Sequence, residues 1–247
     1  MALSASQIKQ LQSLKLKKNR KALGVFVAEG EKVVNELIAS GLTPSSVYTT
    51  TPIDLNLPEE RIVVISEKTL GRISHFNTPN KLLAVFPLPK TSFQAETAKE
   101  ELIMVLDQIN DPGNMGTLIR IADWFGIRHV ICSEGCADPY QPKVVQASMG
   151  SIAHVQLYTE HLPALFEQYT EKIPPVYGAV LDGTSIYDTP LENTGFLVFG
   201  NESHGISKAV ESALSHRITI PAYGKAESLN VAAAAAVVCA AFRKENK

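Results

Sequence analysis

The chain has 247 residues, 45% of them hydrophobic and 19% charged, with a formal net charge of −2. It reads as an ordinary globular chain, long enough to bury a substantial core and to divide into two domains. Nothing approaches the roughly 20 apolar residues of a membrane span, and no signal-peptide pattern precedes its three cysteines, so a reducing, cytoplasmic setting is expected.

Lys9, Lys15, Lys17, Lys18, Arg20 and Lys21 lie in the first 28 residues without an accompanying acid. A basic N-terminus beside a near-neutral remainder fits either a polyanionic partner or a solvated helix face. Ile8, Leu11, Leu14 and Leu16 alternate with those lysines, which predicts an amphipathic helix over 6–22. A short strand follows at Val25–Ala28. The next helix opens at Glu29-Gly30-Glu31, runs through Val33, Val34, Leu37 and Ile38, and stops at Gly41 as a residue just past a helix end. Ser46–Thr50 and Arg61–Ile65 read as strands around a loop with Pro52 and Pro58. A helix start at Ser66–Leu70 and a strand at Leu82–Phe86 complete an α/β unit over residues 1–88.

Prolines and small polar residues break both periodicities after Phe86, so 89–99 reads as a linker. Beyond it, Leu102–Leu106, Val130–Ile131, Val155–Leu157, Val176–Val180, Phe196–Phe199 and Arg217–Ile220 are short apolar runs, most of them separated by helix-like sequence. That alternation predicts a doubly covered, mostly parallel sheet over 100–247. Cys132 and Cys136 have loose metal-ligand spacing, but no His or Cys pair completes a set, and no metal is expected.

Three polar islands follow apolar runs in this second part: Asn110–Arg120, Phe199–Gly205, and Ile220-Pro221 with Ser228-Leu229-Asn230-Val231. Each taken singly has a structural reading: a turn of Asn, Asp, Pro and Gly, a helix cap at Glu202, and Ser228 as cap of the Ala-rich helix at 232–241. Together they place backbone N–H groups and polar side chains along the C-terminal edge of a parallel sheet, where open α/β folds bind ligands. A serine nucleophile is disfavoured, because Ser228 sits in no G-x-S-x-G elbow. A dinucleotide site is disfavoured by the missing G-x-G-x-x-G.

In order and spacing, N-x-G-T-x-x-R at 114–120, G-N-E-x-x-G-I-S at 200–207, I-P at 220–221 and S-L-N-V at 228–231 resemble the SpoU/TrmH family. These are S-adenosylmethionine-dependent RNA ribose 2′-O-methyltransferases of the SPOUT class. Ser148-Met149-Gly150-Ser151 matches as well, and the likeness covers roughly residues 100–243. Through Phe26–Glu31, the first 85 residues resemble the substrate-binding domain often fused to this family, which is similar to kink-turn-binding ribosomal proteins.

The resemblance implies an α/β fold with a deep C-terminal trefoil knot, a feature rare enough that composition does not suggest it. It implies S-adenosylmethionine contacts at Gly200, Ile220 and Leu229, a catalytic rim of Asn114, Arg120, Glu202, Ser228 and Asn230, and a homodimer with the site near its two-fold axis. Structured RNA is the implied substrate, with ribosomal RNA, and within it the large subunit, favoured. Transfer RNA is the second choice, and a non-catalytic RNA-binding or assembly factor the main rival. Ser203, where the family more often has Gly, and Ala232, where it often has Ser, depart from the pattern and bear on substrate choice.

Overall fold

The computed structural model describes residues 3–169 and 174–244. In chain order its helices and strands are α1 (Ala5–Ser13), α2 (Lys17–Leu23), β1 (Val25–Glu29), α3 (Glu31–Ala39), β2 (Ser46–Thr49), β3 (Ile62–Val64), α4 (Glu67–Ile73), β4 (Leu82–Pro87), α5 (Thr97–Glu100), β5 (Leu102–Leu106), α6 (Pro112–Trp124), β6 (His129–Ser133), α7 (Pro142–Ser148), β7 (Gln156–Glu160), α8 (Leu162–Glu167), β8 (Val176–Ser185), β9 (Gly195–Phe199), α9 (Lys208–Glu211), β10 (His216–Thr219) and α10 (Val231–Lys244). They pack as two compact units, Met1–Lys90 with Asp138–His154, and Thr91–Ala137 with Val155–Lys247.

The first unit carries a four-stranded sheet ordered β1-β4-β2-β3, in which β4 runs antiparallel to both neighbours and β2 parallel to β3. The single helix expected over 6–22 is two helices. Ser4 caps the first through a capping box with Gln7, and Ile8, Leu11 and Leu14 pack on Val27, Leu70, Ile73 and Leu83. The apolar stripe then fails, because the helical positions after Leu14 are lysines, and Leu16 is extended at the start of α2. Arg20 fills the gap. Its guanidinium donates to the carbonyls of Leu14 at 2.7 Å and Lys15 at 2.9 Å, and pairs with Asp138. At 2% exposure Arg20 is part of the core, so it does not share the solvent-facing surface of the neighbouring lysines. Gly41 ends α3 as expected, with φ 90°. The Leu42 N–H donates to the Leu37 carbonyl at 3.0 Å and the Gly41 N–H to that of Ile38 at 2.9 Å.

The second unit is built on a six-stranded sheet ordered β10-β8-β9-β5-β6-β7, every neighbouring pair parallel. Leu102–Leu106 and Phe196–Phe199 are buried on both faces, as a sheet covered by helices on two sides requires. On one face Ile103, Val105, Phe196 and Val198 pack with Leu165, Phe166 and Val210. The order reverses at β5, since β6 and β7 extend to one side and β9, β8 and β10 to the other. The loops leaving β5 and β9 therefore flank a topological switch point at the C-terminal edge.

Two further features shape that edge. The strand expected at Val176–Val180 continues to Ser185, because β10 pairs with it in two stretches: Arg217 opposite Gly178, then Ile218 opposite Thr184. Residues 179–183 are thereby released from the β10 ladder. Gly183 permits the close passage, since a Cβ there would lie 2.6 Å from the Arg217 carbonyl oxygen. Helix α10 packs on α6, and Arg243 near its end donates to the carbonyls of Phe125 at 2.7 Å and Gly126 at 3.3 Å and to Asn193 Oδ1 at 3.0 Å.

Candidate active site

The first island leaves β5 and enters α6 with Pro112 in its first turn, where a missing N–H costs nothing. Asp111 is the cap and accepts the Asn114 N–H at 2.8 Å. That fixes Asn114 in the first helical turn with its amide free to reach sideways. The second island is a tight turn: the Asn201 N–H donates to the Gly205 carbonyl at 2.9 Å, and the Gly205 N–H returns to Asn201 at 2.8 Å. Gly200 must be glycine, because a Cβ there would sit 2.2 Å from the Gly205 carbonyl carbon. In the third island Asn230, rather than Ser228, caps α10; its Oδ1 accepts the N–H groups of Ala232 at 3.0 Å and Ala233 at 3.4 Å.

The three islands meet through their side chains. Asn114 donates its amide to Glu202 Oε1 and accepts a 3.0 Å hydrogen bond at Oδ1 from the Asn230 amide. Each asparagine is held in one orientation: Asn114 has a carboxylate on one side and an amide donor on the other, and Asn230 has its oxygen committed to a helix start. Residues 88 and 116 positions from Asn114 thus complete one polar line across the sheet edge.

Beside the line lies a cavity of about 740 Å³, lined by the loops at 199–206 and 218–231 and by the released segment 179–182. Gly200, Glu202, Ile220, Ser228 and Leu229 all line it. Ser228 is exposed, and Leu229 is 52% exposed. On its far wall Arg217 pairs with Glu211 and, at 2.6 Å, with Asp182; the guanidinium hydrogen bond holds the Asp182 carboxyl below its ordinary range. Asn114 and Asn230 stand at the rim rather than in the lining. Arg120 is not brought to the cavity; it projects, exposed, from α6.

Sequence reasoning passed over the segment 179–182 and Asp107. The released wall depends on a strand register that has no local signal. Asp107 is 2% exposed and accepts the Ser207 N–H at 2.8 Å, tying the end of β5 to the far end of the second island. An acid closing an apolar strand was the available hint. Cys136 belongs to the loop that supports the first island: its thiol donates to the Leu106 carbonyl at 3.2 Å and accepts the Ile109 N–H at 3.3 Å. A hydrogen bond from Cys132, helped by those of Ser133 and Ile109 and opposed by burial, lowers its pKa to about 7. Among the described residues no cluster of His, Cys, Asp and Glu could hold a metal ion.

The SpoU rRNA Methylase family model matches residues 101–240, and the MRM3-like substrate binding domain model matches residues 5–84. The 23S rRNA (guanosine(2553)-2′-O)-methyltransferase RlmP of Bacillus subtilis is 30% identical over 237 residues, covering 94% of each chain. A solved structure from Porphyromonas gingivalis, assigned to the TrmH family of RNA methyltransferases, is 40% identical, covers all of both chains and superposes with a TM-score of 0.84. The SpoU methyltransferase AviRb from Streptomyces viridochromogenes, solved with AdoMet, shares the fold at 23% identity, with 98% of each chain covered and a TM-score of 0.85. The family match covers all three polar islands and more than half the chain: this protein belongs to the SpoU rRNA methylase family.

Proposed function

We propose that this chain transfers a methyl group from S-adenosylmethionine to a ribose 2′-hydroxyl of ribosomal RNA, with large-subunit RNA favoured. The observation that carries the reading is the Glu202–Asn114–Asn230 line at the rim of a cavity of ligand size. The target named for the Bacillus subtilis relative supports the RNA class.

The lining suits the cofactor on its own chemistry. Phe199, Ile218, Ile220 and Leu229 offer apolar surface for a purine, the turn at Gly200–Gly205 offers backbone donors and acceptors, and Glu202 and Glu227 bring carboxylates to a pocket for a cation. Gly200, Ile220 and Leu229 are the cofactor contacts in this reading. Bound S-adenosylmethionine supplies a methyl group already activated as a sulfonium substituent. The chain's part is to hold a ribose hydroxyl in line and to ease loss of its proton. Asn114 and Asn230 orient the ribose, Glu202 fixes the Asn114 amide, and Ser228 adds a hydroxyl at the same rim. Arg120 clamps the RNA phosphate and stabilises the developing alkoxide. Because a guanidinium is a poor base near neutral pH, the proton passes to a phosphate oxygen or water.

Arg120 lies outside the cavity lining, so this role needs a second copy of the chain. The homodimer we infer forms across the exposed faces of α6 and α10, where Trp124 is 85% exposed and Val237 38% exposed. A C-terminal trefoil knot belongs to the same reading, supported by the pairing of β10 with β8 and the packing of α10 on α6. Residues 1–88 are read as the RNA substrate-binding domain, 89–99 as linker and 100–247 as the methyltransferase domain, in keeping with the matched ranges. Lys9, Lys15, Lys17, Lys18 and Lys21 supply RNA affinity. The cytoplasm is the compartment this function implies.

Transfer of radiolabelled methyl to ribosomal RNA tests the reading. Arg120→Ala is expected to lower turnover by at least about 100-fold, the scale of a lost transition-state contact, while calorimetric affinity for S-adenosylmethionine stays within twofold. Parallel loss of binding would make Arg120 a structural residue.

A further inference from the structure

The turn that presents Glu202 is not self-supporting. Gly200–Gly205 closes on itself through two backbone hydrogen bonds only, and Glu202 itself is exposed. Besides the Glu202–Asn114 contact, its side-chain attachment to the neighbouring loop comes from Asn201. The Asn201 Oδ1 accepts the N–H groups of Ser203 at 2.8 Å and His204 at 3.3 Å, which sets the turn. Its amide then donates to the Gln108 carbonyl at 2.9 Å, in the loop that leads to Asn114. One side chain therefore shapes the loop carrying Glu202 and fastens it to the loop carrying Asn114.

The receiving carbonyl is itself placed with care. Gln108 has φ 56°, a left-handed conformation that non-glycine residues avoid, and its N–H donates to Ser133 Oγ at 2.9 Å. A strained residue whose donor and acceptor are both engaged is held by its surroundings rather than by preference. Asp107, next to it, accepts the Ser207 N–H at 2.8 Å and so pins the other end of the same turn.

We propose that Asn201 is a positioning residue for methyl transfer: acting through Gln108 and Ser133, it sets the Glu202 carboxylate against Asn114 and thereby the orientation of the ribose. This rests on the catalytic-rim reading given above. Asn201→Asp is the diagnostic change, because it keeps both acceptor contacts inside the turn and replaces the donor to Gln108 by a charged oxygen that the carbonyl repels. Ser133→Ala is the remote counterpart, since Ser133 is no part of the cavity wall and reaches the rim loops through Gln108 and, by way of the Cys136 thiol, Ile109.

Turnover, RNA KM, cofactor affinity and melting temperature are measured for each variant and for Glu202→Gln. Asn201→Asp is expected to lower kcat about tenfold, as small misplacements of positioned groups do, with RNA KM and S-adenosylmethionine affinity within about threefold. In a Glu202→Gln background it should cost nothing more, because the two lie on one path. Ser133→Ala should show the same split more weakly. Wild-type turnover in Asn201→Asp beside a crippled Glu202→Gln would overturn the positioning role and leave the rim intact. Wild-type turnover in both would overturn the rim itself. Losses in Asn201→Asp and Glu202→Gln that add, tracking melting temperature, would reduce Asn201 to a structural turn residue.

Discussion

His75 shows how a single side chain can carry a pH signature. Its imidazole pKa is lowered to about 4 by burial first, and then by the charges of Arg20 and Lys15. The unfolded chain binds that proton near pH 6.5. Stability from this residue is therefore complete above pH 6.5 and is lost as pH falls toward 4, where the folded state must also charge the ring. Glu29, which accepts the backbone N–H of His75 at 2.7 Å, has a pKa raised mainly by burial and slopes the opposite way above its ordinary range. Comparison with His75→Gln isolates the histidine. The wild type is expected to lose on the order of 2 kcal/mol more than the variant between pH 6.5 and 4, allowing for partial exposure. Urea midpoints at the two pH values measure it, and equal losses would show that His75 is not the group responsible.

At the scale of elements, the break between α1 and α2 decides which basic residues face outward. Lys9, Lys15, Lys18 and Lys21 are exposed and Lys17 half-buried, whereas Arg20 is spent on closing α1 and pairing with Asp138. Replacing Lys15, Lys17, Lys18 and Lys21 by Gln is expected to flatten the salt dependence of RNA binding by up to about 3 log units per log unit of salt, at roughly 0.7–0.9 per phosphate contact. Filter binding from 50 to 200 mM salt measures the slope, and an unchanged one removes these helices from the RNA contact. The strands were largely legible because a parallel sheet covered on both faces writes itself as apolar runs; Leu102–Leu106 agrees to the residue. What was illegible depends on distant partners. Arg20 looks like one more surface charge until Asp138, 118 positions away, comes to meet it. The extension of β8 to Ser185 follows from the register of β10. The union of Glu202, Asn114 and Asn230 was foreshadowed by three adjacent loops, but no spacing rule showed that their amides would link.

At the scale of the molecule, α6 and α10 both bring apolar side chains to solvent. Ile121 and Trp124 on one helix and Ala233, Val237 and Ala240 on the other reach solvent to differing degrees, with Trp124 at 85% exposure. A tryptophan so placed stabilises an interface when covered and favours aggregation when not. The wild type is expected to sediment at twice its 26.8 kDa chain mass, and Trp124→Asp or Val237→Asp to shift it toward single chains with loss of methyl transfer but retained circular dichroism. A wild type that sediments as single chains at micromolar concentration would end the two-copy account of Arg120.

The double attachment of α10 has a temporal corollary. Its first turn supplies Asn230 to the polar line, and its final turn latches through Arg243 onto the carbonyls that end α6. A polypeptide emerging from the ribosome therefore has no working pocket until synthesis has passed Arg243. Premature termination, or proteolytic trimming of that one helix, would silence the protein while leaving most of its sheet in place.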